Sequence, residues 1–92
     1  MSAKEMFEEL GYELIEDSKS YLRYADYFNK EHKYMGGEKI DFEKKNRRFR
    51  LTRESCQGNT HFKYGTIEEL KAINKQCEEL GWLKDSDIKC ID

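Results

Sequence analysis

The chain has 92 residues, of which 39% are charged and 37% hydrophobic, and its formal net charge is −2. This length corresponds to one domain with a modest core, and an aromatic content of 13% is too high for an intrinsically disordered chain. The near balance of charges predicts no general attraction to polyanions or anionic lipid, and no apolar run approaches the length of a membrane span.

The first predicted element is a helix over residues 2–11. Ser2 and Glu5 have the spacing of a capping box, in which each side chain accepts a hydrogen bond from the other residue's backbone N–H. An apolar stripe follows at helical spacing: Ala3, Met6, Phe7 and Leu10. Gly11 is then placed to take the left-handed conformation that ends a helix.

Between residues 12 and 64 the apolar pattern changes to a period of two, which predicts strands. Strands are expected at 12–16, 21–28 and 60–64, and a hairpin at 39–53. In the second strand, one face is expected to carry Leu22, Tyr24 and Phe28. The opposite face is expected to carry Tyr21, Arg23, Ala25 and Tyr27.

The hairpin at 39–53 has the clearest register. A two-residue turn at Lys45 and Asn46 sets Lys44 across from Arg47, and asparagine tolerates the positive φ that such a turn requires. The pairs that follow are apolar on one face and oppositely charged on the other: Phe42–Phe49, Ile40–Leu51, Glu43–Arg48 and Asp41–Arg50. Because every pair is favourable, we predict this register.

A second helix is predicted over residues 66–82. Thr66 and Glu69 form another capping box, Gly81 ends the helix, and Trp82 can fold back on the last turn. The apolar residues that we expect to bury against the sheet lie on one face: Ile67, Leu70, Ile73, Cys77 and Leu80.

The order of elements predicts an α+β fold. We expect a two-layer sandwich with an N-terminal helix, an antiparallel meander of four to five strands and a C-terminal helix, both helices covering one face of the sheet. Residues 1–83 form the predicted single domain. Residues 84–92 are a polar tail, for which both a frayed end and a short edge strand are open alternatives.

Basic residues at the hairpin are candidates for nucleic-acid contact: Lys44, Lys45, Arg47 and Arg53. The alternative is a solvated hairpin, in which Arg48 and Arg50 are occupied by acids on the facing strand. Helix, strands, helix is also the order of double-stranded-RNA-binding domains. Glu68 and Glu69, however, stand at the start of the second helix, where they would repel phosphates.

The aromatic residues could form a base-stacking platform, but alternating aromatics in strands more often form a core. Tyr21 and Tyr27 are the ones least explained by a core, and they are our candidate partner surface.

No pattern predicts catalysis or a cofactor. The histidines and cysteines lack the spacing of a metal site, and adjacent glutamates on the helices point in different directions. Cys56, Cys77 and Cys90 are an odd number without a C-x-x-C pair, which indicates free thiols in a reducing compartment. The first residues also lack the pattern of a secretory leader. We therefore expect a cytoplasmic protein that is not an enzyme and binds no metal or cofactor.

The two ends of the chain carry a resemblance. The segments AKEMF and LGY near the N-terminus, and TIEELKAINKQ followed by EELGW near the C-terminus, resemble small phage and prophage proteins of Gram-positive Firmicutes with no assigned function. The resemblance implies a phage or mobile-element accessory protein in a bacterial cytoplasm, and it transfers no site residue. It leads us to expect a non-catalytic protein-interaction or regulatory module whose partner is a host or phage protein. Nucleic-acid binding through the hairpin is the alternative.

Overall fold

The computed structural model describes residues 1–83, so the predicted tail lies outside the described residues. Two helices flank a five-stranded antiparallel sheet whose strands follow one another in chain order, and the predicted α+β sandwich is confirmed. The elements are α1 (Ala3–Glu9), β1 (Glu13–Asp17), β2 (Tyr21–Tyr27), a 3₁₀ turn (Lys33–Met35), β3 (Gly37–Glu43), β4 (Arg48–Glu54), β5 (Thr60–Phe62) and α2 (Ile67–Glu79).

Both helices begin and end as the sequence predicts. Each carries the reciprocal hydrogen bonds of a capping box at its N-terminus. At the C-terminus of α2, Gly81 has φ +78° and donates its N–H to Glu78, while Trp82 donates to Cys77. After α1, Gly11 donates its N–H to Glu8 and Tyr12 donates to Phe7 in the same way. Both helices therefore end in a Schellman motif.

The β3–β4 register is the predicted one, with Phe42 opposite Phe49 and Asp41 opposite Arg50. The two-residue turn is wrong, however. Residues 44–47 form a four-residue connection, and the positive φ of 52° belongs to Arg47 rather than Asn46. Longer hairpin connections are built around a type I turn, and Asn46 is used instead to donate a hydrogen bond to Glu43.

The core lies between the helices and one face of the sheet. Phe7 of α1 stacks on Tyr24 of β2 with ring centroids 4.2 Å apart, and Trp82 packs near Phe42. Cys77 is buried as predicted. The sequence predicts that Phe28 shares a face of the second strand with Leu22 and Tyr24. That prediction is wrong, because β2 ends at Tyr27 and Phe28 is exposed just beyond it.

The buried face of α2 differs from the predicted stripe. Ile67 and Leu70 are 64% and 54% exposed, so their predicted burial is wrong. The buried residues of this helix are Glu69, Ala72, Ile73, Gln76 and Cys77. The face is rotated because two polar side chains find partners in the core: Glu69 accepts from the Tyr12 hydroxyl, and Gln76 from the Tyr24 hydroxyl.

The last strand is shorter than predicted. β5 ends at Phe62 and pairs only with Thr52 to Glu54 of β4, although Lys63 still donates its N–H to the Leu51 carbonyl at 3.2 Å. Within residues 1–83, no strand pairs with the outer edge of β4 ahead of Leu51.

Candidate protein-binding cleft

The face of the sheet opposite the helices is a network of paired charges. Asp41 is buried and accepts from Arg50 at 2.8 Å, with the Arg23 guanidinium 3.5 Å away. Arg48 donates two hydrogen bonds of 3.0 Å to Glu43. The Arg48 bonds, together with the one from Asn46, hold the pKa of the Glu43 carboxyl below its usual range.

These charges are layered. The Arg48 and Arg50 side chains are 69% and 53% exposed, whereas their partners Glu43 and Asp41 are 21% and 7% exposed. The guanidinium groups therefore lie outward and the carboxylates inward. Each pair is close to neutral, but the surface it offers to a ligand at this end of the hairpin is positive.

The four basic candidates do not form one patch. Lys44 donates to Asp17 and to the Ser18 carbonyl, which ties the β3–β4 turn to the β1–β2 turn. Lys45 and Arg47 are exposed in the same turn.

Arg53 lies toward the other end of β4, opposite Glu38. Its guanidinium is 4.9 Å from the centroid of the exposed Phe28 ring and 4.0 Å from the Glu38 carboxylate.

The two candidate partner residues are also apart. Tyr21 pairs with Glu43 near the hairpin turn, and the Arg23 guanidinium lies 4.1 Å from its ring centroid. Tyr27 stands at the opposite end of β2, with Lys33 5.2 Å from its ring.

A cleft of about 530 Å³ opens beside β4. Tyr21 is one of the residues on its outer-face side, together with Asp41, Glu43, Arg48 and Arg50. On the edge side it is lined by Phe49, Leu51, Phe62 and Lys63. The cleft thus joins the outward guanidinium groups to apolar side chains at the open edge of the sheet.

The apolar part of this surface was not predicted. Phe62 is 84% exposed, and Phe49 is exposed on the facing strand. Tyr64, which follows β5, and Ile67 and Leu70 of α2 are also exposed, but they lie outside the cleft. The sequence predicts Phe49 as half of an apolar cross-strand pair with Phe42, and Phe62 as part of a longer strand at 60–64. The signal that was available is Gly65, which interrupts the strand pattern soon after Phe62.

Among residues 1–83, β5 covers only part of the backbone edge along the cleft. Alternate residues of an antiparallel strand direct their N–H and C=O groups to the same side. Because the Leu51 carbonyl faces Lys63, the peptide groups of Phe49 face the same outer side, beyond the end of β5.

A second cluster of charge lies inside the protein. The Lys63 ammonium donates to Glu69 at 2.7 Å, to Glu38 at 3.1 Å and to the Tyr12 hydroxyl at 3.1 Å. Tyr12 in turn donates to Glu69. The cluster therefore joins the start of α2 to β3 and to the chain after α1.

The directions of the pKa shifts indicate which charge states the cluster of Lys63, Glu69 and Tyr12 favours. Burial raises the pKa of Tyr12, and so does its hydrogen bond to Glu69. Burial opposes the charge on Lys63 and on Glu69, but their mutual hydrogen bond and their other partners outweigh it. The pKa of Lys63 is thus raised and that of Glu69 lowered. All three groups keep their ordinary charge at neutral pH, which suits a structural clamp better than a proton-transfer site.

Within residues 1–83, no group of three or more histidine, cysteine, aspartate or glutamate side chains could hold a metal ion. Cys56 is exposed and Cys77 buried, and burial raises the pKa of the Cys77 thiol. Cys90 lies outside the described residues.

Comparisons with known proteins add no further guide. No protein-family model, curated protein or solved structure matches this chain. No helix in the described part of the chain has the length and apolar character needed to cross a membrane.

Proposed function

We propose that this chain is a non-catalytic protein-interaction module that binds its partner in the cleft beside β4. The observation that carries the proposal is the exposure of Phe49 and Phe62 next to an open strand edge and a cleft of about 530 Å³. Exposed aromatic residues that flank a concave surface are typical of interaction sites, where aromatic and arginine side chains are enriched.

The setting we propose is that of the phage and prophage proteins which the two ends of the chain resemble. In that setting the module is an accessory protein of a bacterial cytoplasm, and its partner is a host or phage protein. Binding alone supplies its effect, by inhibition or by recruitment. The buried cluster around Lys63 supports this role, because it joins the residue after β5 to β3 and to the start of α2, next to the cleft.

The test is affinity capture from a Gram-positive host lysate with matched variants. Phe62→Ser removes an exposed aromatic that lines the cleft, and Tyr64→Ser removes a nearby aromatic that is still more exposed and does not line it. We expect a partner that is lost with Phe62→Ser and retained with Tyr64→Ser. A partner that is retained by both variants, or lost with both, would place binding elsewhere.

Nucleic-acid binding through the hairpin is the second candidate, and the outward guanidinium layer is the observation that favours it. Changing Lys45, Arg47 and Arg48, at the turn end of the hairpin, to glutamine should then weaken binding equally for all sequences, and reduce the salt slope by roughly one unit per lost contact. Lys4→Gln and Lys71→Gln, on the helices, are the matched controls.

Under the leading proposal we expect no measurable binding to heparin, DNA or RNA at physiological salt. A tight, salt-sensitive complex that the hairpin variant weakens and the helix controls do not would reverse the ranking of the two functions.

A further inference from the structure

We propose that the cleft takes an extended segment of the partner protein, which adds as a strand to the open edge of β4 and carries alternating acidic and apolar side chains. This inference rests on the proposed function and names the chemistry of the ligand.

The backbone supports strand addition. β5 covers only the Thr52–Glu54 end of β4, and the peptide groups of Phe49 face the uncovered side. A peptide N–H and C=O placed opposite Phe49 can form the same pair of bonds that closes an antiparallel ladder. Main-chain pairing of this kind supplies affinity, while alternate side chains supply specificity.

The side chains of β4 dictate the alternation. Arg48 and Arg50 point to the outer face, where their guanidinium groups are the exposed members of their ion pairs. Phe49 points to the helix side, opposite the core residue Phe42. A strand beside β4 therefore places one set of side chains next to two cations and the other set next to an exposed ring. Acidic residues suit the first position and apolar residues the second.

Two other occupants fit less well. A second copy of the chain paired edge to edge would set Arg48 and Arg50 beside the same residues of its partner, and like charges on adjacent strands are destabilising. A nucleic acid would use the guanidinium groups but would leave the peptide groups of Phe49 without strand-like partners. A peptide satisfies both features of the cleft.

The probe is a short fluorescent peptide of alternating glutamate and valine, measured by anisotropy against the full chain. Methylation of the valine amides removes the N–H groups that face Phe49, whereas methylation of the glutamate amides removes N–H groups that face solvent. We expect the first modification to weaken binding about three- to tenfold for each lost hydrogen bond, and the second to change it little. A peptide with lysine in place of glutamate should bind weakest.

Matched variants of the protein locate the site. Phe49→Leu removes the exposed ring that the apolar side chains of the added strand contact, while it keeps an apolar residue opposite Phe42, and it should weaken the peptide complex about three- to tenfold. Tyr64→Ser, outside the cleft, should leave the complex unchanged. Arg48→Gln should weaken it about two- to fivefold. Arg53→Gln, on the same strand but outside the cleft, should have no effect.

Several results would overturn strand addition. These are equal binding of the two methylated peptides, preference for the lysine peptide, and peptide binding only after residues 84–92 are deleted. Self-association that the peptide abolishes would make a second copy the occupant, and displacement of the peptide by single-stranded DNA would make it a nucleic acid. If a lysate partner is still lost with Phe62→Ser, the interaction module stands without strand addition; if the partner is retained, both proposals fail.

Discussion

Replacing Ile73 by alanine is expected to lower the free energy of unfolding by about 2–5 kcal/mol, because it removes buried methyl and methylene groups from the core and leaves a cavity. Ile73 lies in the core cluster with Ala72 and Cys77. Leu70→Ala is the matched variant on the same helix. Its side chain is mostly exposed, and alanine is the better helix former, so a change within about 0.5 kcal/mol is expected.

Urea unfolding followed by Trp82 fluorescence and circular dichroism measures both variants. A domain of this size has a total stability of about 5–15 kcal/mol, so Ile73→Val, with an expected cost of about 0.5–1.5 kcal/mol, is the fallback if Ile73→Ala does not fold. Equal losses for Ile73→Ala and Leu70→Ala would restore the apolar stripe as the buried face of α2. Loss for Leu70→Ala alone would contradict the observed packing altogether.

Local signals account for what the sequence predicts well. The capping boxes, the glycine stops and the β3–β4 register depend on residues close together in the chain, and each is present in the structure. The rotation of α2 depends on residues far apart. Glu69 and Gln76 are buried because Tyr12 and Tyr24 meet them from positions 57 and 52 residues away. The spacing of apolar residues along α2 does not indicate that these partners exist.

The candidate cleft was only partly predictable for the same reason. Tyr21 stands out in the sequence as an aromatic residue without a core role, and it does line the cleft. Phe49 and Phe62 read as ordinary strand residues. Phe49 is exposed because β5 ends before it reaches that part of β4, and Phe62 is exposed because it lies on the face of the sheet opposite the helices. Lys63, the next residue, lies on the helix side and reaches Glu38 and Glu69. Neither contact can be deduced from the spacing of residues along the strand.

Replacing Lys63 by methionine is expected to cost about 3–5 kcal/mol, because it leaves the Glu69 carboxylate buried without its cation. The two side chains are 10% and 6% exposed, so water does not readily take the place of the ammonium group. Thermal or urea unfolding at neutral pH measures the loss.

The double variant Lys63→Met with Glu69→Gln is the matched control. Glutamine keeps the capping bond to the Thr66 N–H, so the start of α2 is preserved while both charges are removed. We expect the double variant to regain a large part of the stability that Lys63→Met loses. If it does not, the contribution of Lys63 comes from its packing rather than from compensation of charge.

The pH dependence separates these explanations without a second substitution. In the wild type the pKa of Glu69 is lowered from its ordinary value of 4.5, so its contribution is present above that pH and is lost as the pH falls through the lower folded value. In Lys63→Met, burial is no longer offset by the cation, and the pKa of Glu69 should be raised. A raised pKa reverses the direction in which stability changes with pH, because the protonated carboxyl is then the form that the folded state favours. The stability difference between wild type and Lys63→Met should therefore begin to shrink above pH 4.5, as Glu69 of the variant becomes protonated, and should shrink further below pH 4.5, as the wild type loses its own contribution. A difference that stays constant with pH would mean that the Glu69 charge does not cause the loss.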